Sequence, residues 1–255
     1  MQYSSHWVIL LPSPMTALDL QPFRVGSLPT VFYIPNYVST EEEQALLTDL
    51  RASKQWRTVS GRRLQNLGGI IHKQGLISAP LPSWLQPLVA RLAAETGIYG
   101  NVGGDVGQPN HVLVNAYQPG EGILPHEDGP LYHPAVAILS LGAPAVVRFA
   151  HKRSNTQADA DAAAMAAVGG DAHVYKHQLV ASVVCQPRSL LIFRDVAYSD
   201  CLHGILEAAV EEIDDSCVNA AQAGVQQQQR LPRGGERISL TVRRVLRTHK
   251  LGIRL

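Results

Sequence analysis

The sequence predicts an α+β fold that is mainly β, and three observations predict it. Two amphipathic helical patterns lie within its first hundred residues. Short apolar runs of strand length, separated by turn residues, follow them. The 21 glycines and 16 prolines suit a chain with many turns. With 255 residues, 45% hydrophobic and 17% charged, the chain can bury a sizeable core and is unlike a disordered protein.

Taken in order, residues 1–23 read as an N-terminal extension and 24–255 as a single domain. Residues 7–11 (Trp-Val-Ile-Leu-Leu) are too short and lack a basic flank, so they read as neither a signal peptide nor a membrane span. A first helix is expected over 39–52, where Ser39 and Glu42 suit a capping box and Leu46, Leu47 and Leu50 share a face. A second is expected over 83–96. Pro82 and Ser83 open it, Leu85, Leu88, Val89 and Leu92 form its apolar stripe, and Gly97 suits its C-cap. Residues 111–117 then alternate, with Val112, Val114 and Ala116 on one side and Leu113, Asn115 and Tyr117 on the other. Further strands are expected at 136–141, 145–149, 179–185, 189–193 and 238–246. Such a series suits a sandwich, a barrel or a jelly roll. Two stretches interrupt it, 151–173 (Ala-rich) and 208–236 (Ala- and Gln-rich). Both are expected to be inserted, mobile surface loops.

Cys185, Cys201 and Cys217 form no Cys-x-x-Cys, which argues against a zinc ribbon or a disulfide framework and for a reducing compartment. The formal net charge of +1 excludes a strongly basic binder by bulk charge but not a local basic face.

The chemistry begins at Pro125-His126-Glu127-Asp128. In an extended segment His126 and Asp128 project from one face, so an imidazole and a carboxylate reach a common point. His203 is the best third ligand, and two histidines with one carboxylate suit non-haem Fe(II). Alone, His-x-Asp is a weak signal, and a loop histidine remains the competing reading. The last strand adds weight. Arg237, Ser239, Thr241 and Arg243 share one face, while Ile238, Leu240 and Val242 share the other. Inward arginines need an acidic partner. No cluster of Asp or Glu on a neighbouring strand supplies one, and a dicarboxylate ligand would. Asn115 and Tyr117, on one face of the strand before His126, could complete the donors around the same acid.

Together these residues, with Asn115-Ala-Tyr-Gln-Pro-Gly and Tyr198-Ser-Asp-Cys-Leu-His203-Gly-Ile, resemble the AlkB family, closest to its eukaryotic AlkB homologue 6 branch. The resemblance covers roughly residues 24–250 apart from the two insertions. It implies a double-stranded β-helix (jelly roll) and a dioxygenase using Fe(II), 2-oxoglutarate and O2. His126, Asp128 and His203 are then the metal ligands. Arg237, helped by Tyr117, pairs with the distal carboxylate of 2-oxoglutarate. Arg243 and Asn115 sit near the metal-bound end. Ser239 stands where many members carry Asn, so its contact with the cosubstrate is in question. The activity implied is oxidative demethylation of an N-alkylated base, with succinate, CO2 and formaldehyde released.

The partner expected is DNA or RNA, single-stranded or with an extruded base, bound by a monomer in the cytoplasm and nucleus. Residues 51–73 contain Arg51, Lys54, Arg57, Arg62, Arg63 and Lys73 and no acid; residues 240–255 contain Arg243, Arg244, Arg247, Lys250 and Arg254 and no acid. These stripes could track phosphates, or they are ordinary solvated faces. Residues 51–75 occupy the position of the family's nucleotide lid, with Gly61, Gly68 and Gly69 supplying mobility. Trp56, Arg62, Arg63 and Tyr132 are the substrate-contacting candidates, Trp56 by stacking on a base. Two other readings stand beside this one: the same chemistry on a protein or small molecule, and a nucleic-acid-binding module with little turnover. A cupin-type hydrolase or isomerase gives no reason for arginines in the pocket.

Overall fold

The structure, a computed structural model, describes residues 17–59, 61–102, 105–152 and 178–249. In chain order the strands begin with β1 (Val31–Ile34), β2 (Arg57–Val59), β3 (Arg62–Leu67), β4 (Gly69–His72) and β5 (Gly75–Ser78). Next come β6 (Asn101–Val102), β7 (Asp105–Val106), β8 (His111–Tyr117), β9 (Ile123–His126), β10 (Ala135–Leu141) and β11 (Ala145–His151). The rest are β12 (Leu179–Cys185), β13 (Leu190–Arg194), β14 (Cys201–Ile205), β15 (Val210–Ile213), β16 (Gln229–Pro232), β17 (Arg237–Arg243) and β18 (Thr248–His249). The α-helices are α1 (Thr40–Ala52), α2 (Gln86–Thr96) and α3 (Asp195–Ser199).

Two antiparallel sheets make the jelly roll. The major sheet runs β1-β13-β10-β17-β8-β3-β2, and the minor sheet β12-β11-β14-β9. The period of two decides which side chains go where. On one face of the major sheet Val112, Val114, Ala116, Ile238, Leu240 and Val242 pack against Leu46, Leu47 and Leu50 of α1 and Leu88, Val89 and Leu92 of α2. On the other face Val136, Ile138, Leu191 and Phe193 meet Val147, Phe149, Ala181, Val183 and Ile205 of the minor sheet. The sheets therefore share one apolar layer, and the helices buttress the outside of the larger sheet. Among the described residues no helix is long and apolar enough to cross a membrane.

The helix ends follow local chemistry. The Ser39 hydroxyl accepts from the Glu42 N–H at 3.2 Å, and the Glu42 carboxylate accepts from the Ser39 N–H at 2.9 Å, closing the capping box of α1. Gly97 caps α2 at φ 61°, in the left-handed region. That helix starts at Gln86, later than Pro82 and Ser83 suggest. Residues 82–85 form a turn closed by Leu85 N–H to Pro82 C=O at 3.0 Å, and a proline in the first helical turn sets the start.

Two expectations need correction. The stretch 208–236 is packed. β15 and β16 pair, and Ile213, Cys217, Ala220, Ala223 and Val225 join the inter-sheet core. The Asn219 amide takes both the N–H and the C=O of Val184, so the segment covers the edge of β12. Glu211 anchors it. Its carboxylate accepts from Val146 N–H (3.1 Å), Arg148 (3.2 Å) and Arg233 (2.5 Å), all buried. Charge pairing and amide caps hold a composition that would not pack by apolar area alone. The longest exposed run within it is 226–230, which includes the four consecutive glutamines. Second, Gly68 and Gly69 do not confer mobility. At φ 95° and 134° they sit where a Cβ would lie 2.2 Å from the carbonyl oxygens of Asn110 and Ile77. Close backbone approach dictates them. The other inserted stretch lies, beyond Lys152, outside the described residues. So do residues 1–16 of the expected extension, including the 7–11 run. The three cysteines are free thiols, all buried.

Candidate active site

His126 ends β9 and His203 is central in β14. The two strands pair with these residues in register, which brings their ring centroids to 4.4 Å. Asp128 follows β9 directly. One ligand atom from each of His126, Asp128 and His203 lies within 4.8 Å of the others, a separation at which one ion can be shared. The spacing of two in His126-x-Asp128 delivers both groups to this point, as expected.

The surroundings prepare each donor. His126 Nδ1 is 2.8 Å from the Leu124 carbonyl oxygen. A carbonyl only accepts, so Nδ1 carries a proton, and the tautomer that this selects is the one with its lone pair on Nε2 for a metal. Burial pushes the His203 imidazolium down to about 4, so this ring is neutral near pH 7. The Asp128 side chain is 5% exposed and paired through Oδ1 with Arg243. Burial alone would raise its carboxyl, but Arg243, His203 and His126 together hold it below the usual range. Oδ2 is buried without a hydrogen-bond partner. Arg243 in turn lies 4.1 Å over the Tyr132 ring, and the His111 ring lies 6.0 Å from that ring, tilted by 38°.

A cleft of about 450 Å³ opens from this triad into the space between the sheets. Leu113, Ile123, Ile138, Val147 and Ile205 give it apolar walls, and Asn115, Tyr117, Arg237, Ser239 and Thr241 its polar lining. β17 faces β8 residue for residue, Arg237 opposite Tyr117 and Ser239 opposite Asn115, so all four converge. Arg237 is 2% exposed and lies 5.7 Å over the Tyr117 ring. It donates to Ser140 Oγ at 2.9 Å, while its Nε and Nη1 have no partner. Burial lowers its pKa for the same reason. Among the described residues no carboxylate lies within salt-bridge distance of it. Buried polar groups are almost always satisfied. A cation beside Asp128 Oδ2 and a carboxylate beside Arg237 would satisfy these orphans, so the donor set fits both groups.

The expectation that no acid serves either arginine therefore holds for Arg237 and fails for Arg243, whose partner is Asp128 itself. Arg243 is also removed from the phosphate-tracking stripe, because it is buried. The substrate candidates scatter. Tyr132 is 8% exposed under Arg243 and does not line the cleft. Trp56 donates to the Leu50 carbonyl at 2.9 Å, and Arg63 covers its ring at 5.1 Å, so it lies apart from the cleft with one face occupied. Arg63 pairs with Glu236. Arg62 reaches Asn115. The region expected as a lid is strand: β2 and β3 extend the major sheet past β8, and β4 and β5 form a second hairpin. Ser140 and His111 had no place among the candidates. Ser140 is the single polar residue in the run 135–141, a signal that could have been read.

A jelly-roll cleft with two histidines and a carboxylate at one end and an unpaired guanidinium within defines a non-haem iron oxygenase that takes an acidic cosubstrate. Residues 71–243 match the 2OG-Fe(II) oxygenase superfamily. "Probable RNA/DNA demethylase ALKBH6" of Danio rerio is 38% identical over 231 residues, 89% of this chain and 91% of that one. "Alkylated DNA repair protein ALKBH8 homolog" of Arabidopsis thaliana is 25% identical over 259 residues, 93% of this chain and 66% of that one. The solved structure of OsALKBH1 superposes with a TM-score of 0.50 at 14% identity, covering 85% of this chain and 98% of that one, a likeness of fold alone. The chain belongs to the 2OG-Fe(II) oxygenase superfamily and, within it, to the AlkB family. It is an Fe(II)- and 2-oxoglutarate-dependent dioxygenase.

Proposed function

We propose that this enzyme oxidatively demethylates N-alkylated bases in DNA or RNA, acting as a monomer on single-stranded or extruded bases in the cytoplasm and nucleus. The observation that carries the reading is the pairing of the His126–Asp128–His203 cluster with an unpaired, buried Arg237 in one cleft. The name of the Danio rerio relative, and the length over which it matches, support nucleic acid as the substrate.

His126, Asp128 and His203 would hold Fe(II), and Arg237 the distal carboxylate of 2-oxoglutarate. With both bound, the site supplies oxygen-dependent hydroxylation of a C–H bond, with succinate and CO2 as co-products. The protein's part is geometric and electrostatic. A neutral His203, the Nε2 of His126 and an ionised Asp128 present lone pairs. Arg243 keeps the carboxylate ionised and aimed. The apolar walls exclude water from the reacting carbon. A hydroxylated N-methyl group then releases formaldehyde. Lys54 and Arg57 are exposed near the Arg63–Glu236 pair, and exposed cations of this kind favour a phosphodiester chain over a neutral ligand. Succinate release, screened across methylated DNA and RNA oligonucleotides, tests the substrate class. Release that no oligonucleotide stimulates would point to a protein or small-molecule substrate.

A further inference from the structure

Asn115 lines the cleft, and Arg62, on the same face of the neighbouring strand β3, reaches it from the side. Arg62 Nε lies 3.2 Å from Asn115 Oδ1, and Arg62 itself is not among the residues that line the cleft. Asn115 is 4% exposed, while Arg62 is half-buried on the β2–β3 hairpin. The chemistry of this contact fixes the amide. A guanidinium has five donors and no acceptor, so the atom it meets is the amide oxygen. Only the NH2 group is then left to serve the cleft. Without such a partner, an amide can present either end, because the two differ little in shape. For an anionic ligand the ends have opposite effects. The NH2 donates to a carboxylate, whereas the carbonyl oxygen repels it.

We propose that Arg62 is a positioning residue for 2-oxoglutarate, holding Asn115 so that its NH2 group faces the cosubstrate's carboxylate. The assignment rests on reading this cleft as the 2-oxoglutarate site. It takes Arg62 out of the set of outward cations that could follow phosphates. It also ties the basic hairpin to the cosubstrate through a single hydrogen bond, so a ligand that shifts the hairpin acts on cosubstrate affinity too.

The test is a double-mutant cycle on 2-oxoglutarate affinity, measured calorimetrically on the anaerobic Fe(II) protein without nucleic acid. Arg62→Met should weaken binding about tenfold, the scale of one hydrogen bond to a charged group. Asn115→Ala should weaken it similarly. If Arg62 acts through Asn115, adding Arg62→Met to Asn115→Ala should cost nothing more. Arg62→Lys keeps a donor and should recover part of the loss, which a merely misfolded hairpin would not allow. Arg230→Met, on exposed β16, should leave the affinity unchanged. Unaltered binding in Arg62→Met, or losses that simply multiply in the double variant as a through-space charge effect would give, overturns the assignment. Failure of the wild type to bind 2-oxoglutarate at all would instead overturn the reading of the cleft, and this assignment with it.

Discussion

Asp128 divides its two oxygens between Arg243 and His203: Oδ1 accepts from the guanidinium, and Oδ2 lies 4.0 Å from His203 Nε2 with no hydrogen bond of its own. One oxygen is committed to holding the side chain in place. The other is left for a ligand. The Tyr132 ring, 4.1 Å from the guanidinium, packs against Arg243 and helps hold it there. Removing Arg243 strands a buried charge, which typically costs about 3–5 kcal/mol. Arg243→Met should therefore lose about that much stability in urea unfolding of the metal-free protein. Adding Asp128→Asn should recover part of it. Strictly additive losses would show that the two side chains do not interact.

Arg237 predicts the opposite trade. Its buried Nε and Nη1 groups have no partner, so the metal-free protein carries an unsatisfied charge. Arg237→Met should raise metal-free stability by about 1 kcal/mol, since burying a charge without a full set of bonds is unfavourable. The same variant should lose roughly a hundredfold in 2-oxoglutarate affinity, as expected for a charge-assisted pair. Calorimetry reads one and urea unfolding the other. A variant that loses stability but keeps cosubstrate affinity would place Arg237 among structural residues.

His111 sets a pH dependence. Burial, with Arg243 nearby, pushes its imidazolium down to about 3, against about 6.5 for an unfolded histidine. Below pH 6.5 the unfolded chain takes up a proton that the folded one refuses. Stability is therefore complete above about 6.5 and falls as the pH drops toward 3. The slope from this group approaches 1.4 kcal/mol per pH unit. His203 contributes with the same sign, so the comparison with His111→Gln isolates His111. That variant should show a shallower decline between pH 6 and 5 in chelator-treated protein. Parallel curves would mean that His111 titrates normally.

The 208–236 segment is held by charge at one point. Glu211 is 1% exposed and serves both Arg148 and Arg233. Glu211→Ala leaves two buried guanidinium groups without a counter-charge, at a cost of about 3 kcal/mol or more. Limited proteolysis should then cut the variant throughout 208–236, while the wild type is cut only near its exposed glutamines. Equal resistance would mean that the segment is held by its apolar contacts instead.

The core of the fold and most of the site are legible in the sequence because period-two alternation is local. Residues 111–117 and 237–243 assign both faces of two central strands before any contact is known, and those faces are the cleft and the helix-packed layer. His126 and Asp128 are legible for the same reason. His203 is found by its place after an apolar run. What escapes depends on partners distant in sequence. Arg243 and Asp128 are 115 residues apart, so the acid that satisfies the arginine is invisible to a search of neighbouring strands. Glu211 reaches Arg148 across 63 residues, and without that pair an Ala- and Gln-rich stretch reads as loose. Trp56 and Tyr132 look free to stack until their actual neighbours, Leu50, Arg63 and Arg243, are placed. The glycines at 68 and 69 look like hinges because the carbonyls that press on them belong to residues 110 and 77.

The most direct test of the whole account is the ratio of formaldehyde to succinate released from a single-stranded oligonucleotide bearing an N-methylated base, with Fe(II), 2-oxoglutarate and O2 supplied. The account predicts a ratio near one for the wild type and neither product from His126→Ala. Succinate without formaldehyde on every methylated DNA and RNA tested, from protein shown to hold iron, would contradict it.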